Sequence, residues 1–155
     1  MRKRITITLV VLVLFLCFVG LLWFFGRKPP KQGILIVNGT VLNSGCELRD
    51  QYHGVLPLLE VLEGLGVTVI RTDDCAEIIN GDTRLSLSNS QLIDTETGMD
   101  WLTPAPGSTY YICTPTETDV LVDENTLSVV LHALEIRAEI NIHYQKGEIS
   151  VTQSH

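Results

Sequence analysis

The sequence predicts an α+β fold: an N-terminal transmembrane helix followed by a duplicated strand–helix–β-hairpin domain with a mainly antiparallel sheet. Three observations predict it. A single apolar run fills residues 5–25, all eighteen acidic residues lie beyond residue 46, and one helical pattern occurs twice, displaced by 69 residues.

The apolar run is 21 residues long and is interrupted only by Thr6, Thr8 and Gly20. As a helix rising about 1.5 Å per residue it covers roughly 30 Å, the thickness of a bilayer's hydrocarbon core. Trp23, Phe24 and Phe25 stand at its exit, where aromatic rings favour the headgroup region. A cleaved secretory signal usually has about 7–15 apolar residues and then a small-x-small site. Residues 24–30 offer no such site, so an uncleaved signal anchor is expected over 5–25, behind a cytoplasmic tail at 1–4. Leu16 stands before Cys17 where a lipidated cysteine would have a small residue. Arg2, Lys3 and Arg4 precede the run, and Arg27, Lys28 and Lys31 follow it. The very short tail, which also carries the α-amino charge, tips this near-tie toward a single-pass cell-membrane localisation with the domain extracytoplasmic. Residues 26–32, with Pro29-Pro30, read as a stiff linker.

The domain is expected over residues 33–152, in units of about 33–88 and 109–152. Ile34-Leu35-Ile36-Val37 and Thr40-Val41-Leu42 read as strands around an Asn38-Gly39 turn, since Asn-Gly tolerates positive φ. Leu58, Val61, Leu62 and Leu65 then form one apolar stripe at helical spacing, with Pro57 at its start and Gly66 at its end. Residues 67–71, 76–79 and 84–88 alternate as strands, separated by turns at Asp73-Asp74 and Asn80-Gly81-Asp82. Residues 91–108 form the poorest segment for regular structure, with a short strand at 91–93 at most, and 109–112 read as a strand. Leu127, Val130, Leu131 and Leu134 repeat the helical stripe, with Asp123 as N-cap and Glu124 near the positive end of the dipole. Glu135 occupies the place of Gly66, so this helix must close differently. Ile136, Ile140, Ile142 and Tyr144, a turn at 145–147, and residues 148–151 complete the second unit.

This layout resembles the copper amine oxidase N-terminal-like domain family, duplicated α+β modules of Gram-positive bacterial envelopes. The likeness is carried by Ile36-Val37-Asn38-Gly39-Thr40-Val41 and by residues 55–69, Val55-Leu56-Pro57-Leu58-Leu59 through Leu65-Gly66-Val67-Thr68-Val69. Residues 122–136 look like a degenerate second copy, lacking the proline and the glycine, and Leu59 stands where the family commonly has arginine. The resemblance implies a non-catalytic envelope module that binds or spaces. It implies no copper site and no amine oxidation.

Residues 32–155 hold five basic residues against eighteen acidic ones, a formal charge of −13. That balance argues against nucleic acid and against docking flat on anionic lipid. Cys46, Cys75 and Cys113 are candidates for one disulfide with the pairing open, and no zinc spacing is present. Asp73, Asp74 and Glu77 are weighed as a cation site against an ordinary acidic turn. Residues 116–124 carry the same ambiguity, half of it explained by helix capping. Cys46 with His53, or Cys113 with His132, would be needed for thiol catalysis, and His143 is explained by cross-strand packing. G-x-S-x-G, H-E-x-x-H, P-loop and G-x-G-x-x-G patterns are absent. No catalytic residue, metal or cofactor is therefore expected. Tyr52 and Tyr144 are aromatic as well, but Trp101, Tyr110 and Tyr111 are the candidate ligand contacts, Trp101 weighed against a buried anchor. The expected function is a membrane-anchored, extracytoplasmic, non-catalytic binding or scaffolding module of the cell envelope. Its expected partners, besides the membrane, are a cell-wall polymer or an envelope protein. Rival expectations are a cysteine- or carboxylate-dependent envelope enzyme, or a cytoplasmic-facing sensory domain.

Overall fold

With Leu35 and Val37 turned into the core, the apolar run at residues 34–37 is built out as a strand in the computed structural model. It describes residues 30–154 except 73, 74, 89, 90, 104–112, 117 and 118, together with Phe15. In chain order the elements are β1 (Lys31–Val37), β2 (Thr40–Val41), β3 (Cys46–Leu48), β4 (Gly54–Pro57), α1 (Leu58–Gly64), β5 (Thr68–Arg71), β6 (Cys75–Asn80) and β7 (Thr83–Ser88). They continue with β8 (Gln91–Asp94), β9 (Cys113–Pro115), β10 (Val120–Asp123), α2 (Glu124–Ala133), β11 (Ala138–His143) and β12 (Glu148–Gln153).

Two sheets result. The larger runs β11-β12-β1-β3-β4-β10-β9, with β2 hydrogen-bonded to β1, and the smaller runs β5-β6-β7-β8. Strand β1 is the splice of the larger sheet: residues 31–33 pair antiparallel with β3, and residues 34–37 pair parallel with β12. Gly33 lies at the switch, where a Cβ would meet Leu48 Cδ1 at 2.8 Å and the Gly147 carbonyl at 2.9 Å. Asn38 and Gly39 both take positive φ between β1 and β2, the tight turn that Asn-Gly favours.

Each helix follows a strand and is followed by an antiparallel pair. Leu58, Val61, Leu62 and Leu65 are buried, as are Leu127, Val130, Leu131 and Leu134. They share one core with Leu35, Val37, Leu56, Val122, Ile149 and Val151 of the larger sheet and Ile78, Leu85 and Leu92 of the smaller. Each large side chain so buried contributes on the order of 1.5–3 kcal/mol.

The helix ends are closed partly from a distance. Pro57 is the N-cap of α1 and gives no side-chain cap. Instead Asp119 accepts hydrogen bonds from Leu59 N at 2.8 Å and Glu60 N at 3.0 Å, satisfying donors that a first turn otherwise leaves open. Asp123 caps α2 directly, accepting from Thr126 N at 2.8 Å. Gly66 ends α1 at φ 85°, whereas after α2 Glu135 itself takes φ 56°. There the Asn80 side-chain amide donates to Leu134 O at 2.8 Å, tying the smaller sheet to the end of α2.

The expected fold class is corrected on two counts. Strand outweighs helix, 49% against 17%, so the described residues are mostly β, with helices α1 and α2, rather than an α+β mixture. The two apolar stripes make short helices of 7 and 10 residues, while alternation fills the rest. Second, among the described residues no helix is long and apolar enough to cross a membrane. At about 1.5 Å per residue these helices reach roughly half of a bilayer core or less. The transmembrane helix, the signal anchor and the single-pass membrane localisation with its outward-facing domain are therefore not supported. The segments 5–14 and 16–25 that suggested them lie outside the described residues, as do the tail and most of the linker.

Candidate binding groove

A groove of about 660 Å³ lies between the start of α2, the turn that joins β3 to β4, and β11. The turn is built by Asp50, whose Oδ1 accepts from Tyr52 N at 2.7 Å and His53 N at 2.9 Å. Such an Asx turn substitutes a carboxylate for a backbone acceptor and reverses the chain locally. It leaves Tyr52 69% exposed, on the wall of the groove. His53 is anchored across the fold: its Nδ1 lies 2.6 Å from Glu124 Oε1, and Glu124 Oε2 accepts from Gly54 N at 3.2 Å. The bond to Glu124 holds the His53 pKa above its ordinary value, with Asp50 adding to the effect.

The floor is β11. Side chains of a strand alternate between faces, yet Ala138, Glu139, Ile140, Asn141 and Ile142 all border the groove. Five consecutive residues meet one groove only if it runs along the edge of the strand. Strand β11 is the end of the larger sheet and pairs β12 on its other side. The direction of its backbone groups follows from the register. Ser154 N donates to Arg137 O at 2.8 Å and Gly147 N to His143 O at 2.9 Å, so odd-numbered residues from 137 to 143 turn toward β12. On β12, Val151 O accepts from Asn38 N and Gln153 N donates to Asn38 Oδ1, both turned away from β11. In an antiparallel pair these directions alternate. The N–H and C=O groups of Ala138, Ile140 and Ile142 therefore point to the open edge. Their side chains pack against the core, while Glu139 and His143 are exposed on the opposite face.

Electrostatically the groove is anionic. Glu124 and Glu139 line it, and among its lining residues there is no lysine or arginine. The positive end of the α2 dipole is already met by Asp123 and Glu124.

Of the candidate ligand contacts named from sequence, the one that is described, Trp101, is not among the residues lining the groove. Trp101 packs against the core, its ring edge-on to His132 with centroids 5.9 Å apart. Its buried Nε1 has no hydrogen-bond partner among the described residues. Tyr110 and Tyr111 lie outside the described residues. Cys46 is a free, buried thiol whose Sγ donates to Ile34 O at 3.3 Å, and burial pushes its pKa up. His53 therefore serves Glu124 and not Cys46. The side chains of Cys75 and Cys113, and residues Asp73 and Asp74, fall outside what is described. Glu77 pairs with Arg84 at 3.3 Å, and Asp119 and Asp123 cap the two helices. Sequence reasoning missed the pairing of His53 with Glu124, because 71 residues separate them. The polar cluster Asp50-Gln51-Tyr52-His53-Gly54 was the available signal of an Asx turn. The chain matches no protein-family model, no curated protein and no solved structure.

Proposed function

We propose that this chain is a non-catalytic binding or scaffolding module whose ligand lies in the groove between β11 and the start of α2. The observation that carries the reading is an open strand edge running the length of a groove within the usual ligand-site range of about 300–1,000 Å³. The surrounding chemistry supports binding over turnover. Asp50, Asp119 and Asp123 accept backbone hydrogen bonds that hold turns and helix ends, Glu124 is shared between His53 and Gly54, and Cys46 is held as a neutral thiol. The likeness to the copper amine oxidase N-terminal-like modules belongs to the same proposal and points the same way.

The test is a binding screen of the full-length chain against soluble wall-glycan fragments and short peptides, read by thermophoresis. Any binder found should lose about tenfold in affinity in Tyr52→Ala and in Glu139→Ala, with thermal stability unchanged. A binder insensitive to both substitutions would place the site elsewhere and end this reading.

A further inference from the structure

We infer that the groove takes an extended, lysine- or arginine-rich polypeptide segment, added as a further strand on the open edge of β11. This rests on the groove being the binding site and names what binds there. Three observations converge on it. Ala138, Ile140 and Ile142 present N–H and C=O groups with no backbone partner among the described residues at every second residue, a spacing of about 6.8 Å that another extended backbone matches. The groove borders five consecutive residues of β11, so about five residues of ligand fit beside it. Its free carboxylate is that of Glu139, exposed beside the strand edge, since Glu124 is already shared between His53 and Gly54, and no lysine or arginine is in the lining.

Charge also decides between occupants. A second copy of this chain would bring the same formal charge of −13 over residues 32–155 to the edge, so net repulsion would oppose pairing. A polyanion is disfavoured for the same reason. A basic strand satisfies the backbone groups and the Glu139 carboxylate together. Its alternate side chains would lie on the face of Glu139, and Tyr52 would cover the other side of its backbone.

The experiment uses the full-length chain and three labelled nine-residue peptides. One alternates lysine and valine, the second has glutamate for lysine, and the third is the lysine peptide with its backbone nitrogens methylated. The lysine peptide should bind, and each of the others should bind at least about tenfold more weakly. Amide exchange should slow at Ala138, Ile140 and Ile142 on binding, with little change at Glu139 and Asn141, whose groups already face β12. Ala138→Pro removes one outward donor without touching the ladder, and should cost about tenfold in affinity at unchanged circular dichroism. Glu139→Lys gives the same loss through charge and covers the case in which the proline variant misfolds.

Equal binding of the methylated and unmethylated lysine peptides, still weakened by Glu139→Lys, would overturn strand addition and leave the groove standing. Binding unaffected by both Glu139→Lys and Tyr52→Ala would remove the groove itself. No binding of the lysine peptide overturns the inference. So does a concentration-dependent dimer abolished by Ala138→Pro, which would make a second copy the occupant.

Discussion

Asp119 does the work at a helix end that the local sequence leaves undone. Its carboxylate accepts from Leu59 N, Glu60 N and Val120 N, the last at 2.6 Å, and these donors act to lower its pKa while burial, the larger influence, raises it. Asp119→Asn turns one of those acceptors into a donor facing another donor. It should destabilise the fold by about 1–3 kcal/mol in urea denaturation, the cost of a buried group left unsatisfied. His53 makes a prediction with a sign. Its folded pKa is raised by Glu124, so the pair's stabilisation is complete below the unfolded value of about 6.5 and is lost as pH rises through the folded value. The difference in Tm between the wild type and His53→Gln should therefore shrink as pH is raised from about 5.5 toward about 8.5. A difference that grows with pH would contradict the assignment. Neither residue's partner is local: 60 residues separate Asp119 from Leu59, and 71 separate His53 from Glu124. Sequence shows that such groups want partners, and only the fold says which.

Among the described elements, β1 is the most constrained because it pairs with three strands, β2, β3 and β12, and changes from antiparallel to parallel pairing along its length. Gly33→Ala would push a methyl group against Leu48, the Gly147 carbonyl and the Cys46 sulfur. Overpacking of this kind costs about 1–3 kcal/mol, and here it should appear as a lower denaturation midpoint with the slope unchanged. The helices illustrate what periodicity conveys. The stripe spacing located both sets of inward residues, and the Asn38-Gly39 turn was readable because its φ values suit few other pairs. The close of α2 was not readable. Glu135 at positive φ and the Asn80 amide replace a glycine that the sequence lacks, and Asn80 looked like a turn residue of another unit. The parallel pairing of β1 with β12 was hidden for a similar reason, since periodicity reports which face of a strand is buried and not which strand lies beside it. The groove was thus half legible: its strand was visible in Ile140 and Ile142, its edge was not.

For the whole molecule, the dominant fact is charge. Eighteen acidic residues against five basic ones over residues 32–155 make self-repulsion a standing load on the compact state. Raising NaCl from about 0.02 M to about 0.5 M shortens the screening length severalfold, and Tm should rise by a few degrees; a fall would mean that the exposed pairs such as Arg49–Glu47 and Arg71–Glu63 outweigh the repulsion. The same charge that burdens folding gives the β11 groove its preference among ligands. Architecture adds a temporal constraint. Because the first strand of the domain is clamped in parallel by the last, a nascent chain emerging from the ribosome holds half of β1 without its neighbour until residues 148–153 are free. Completion of the larger sheet then waits for residues 148–153, and any chaperone or partner able to shield residues 34–37 can act until that last strand has been made.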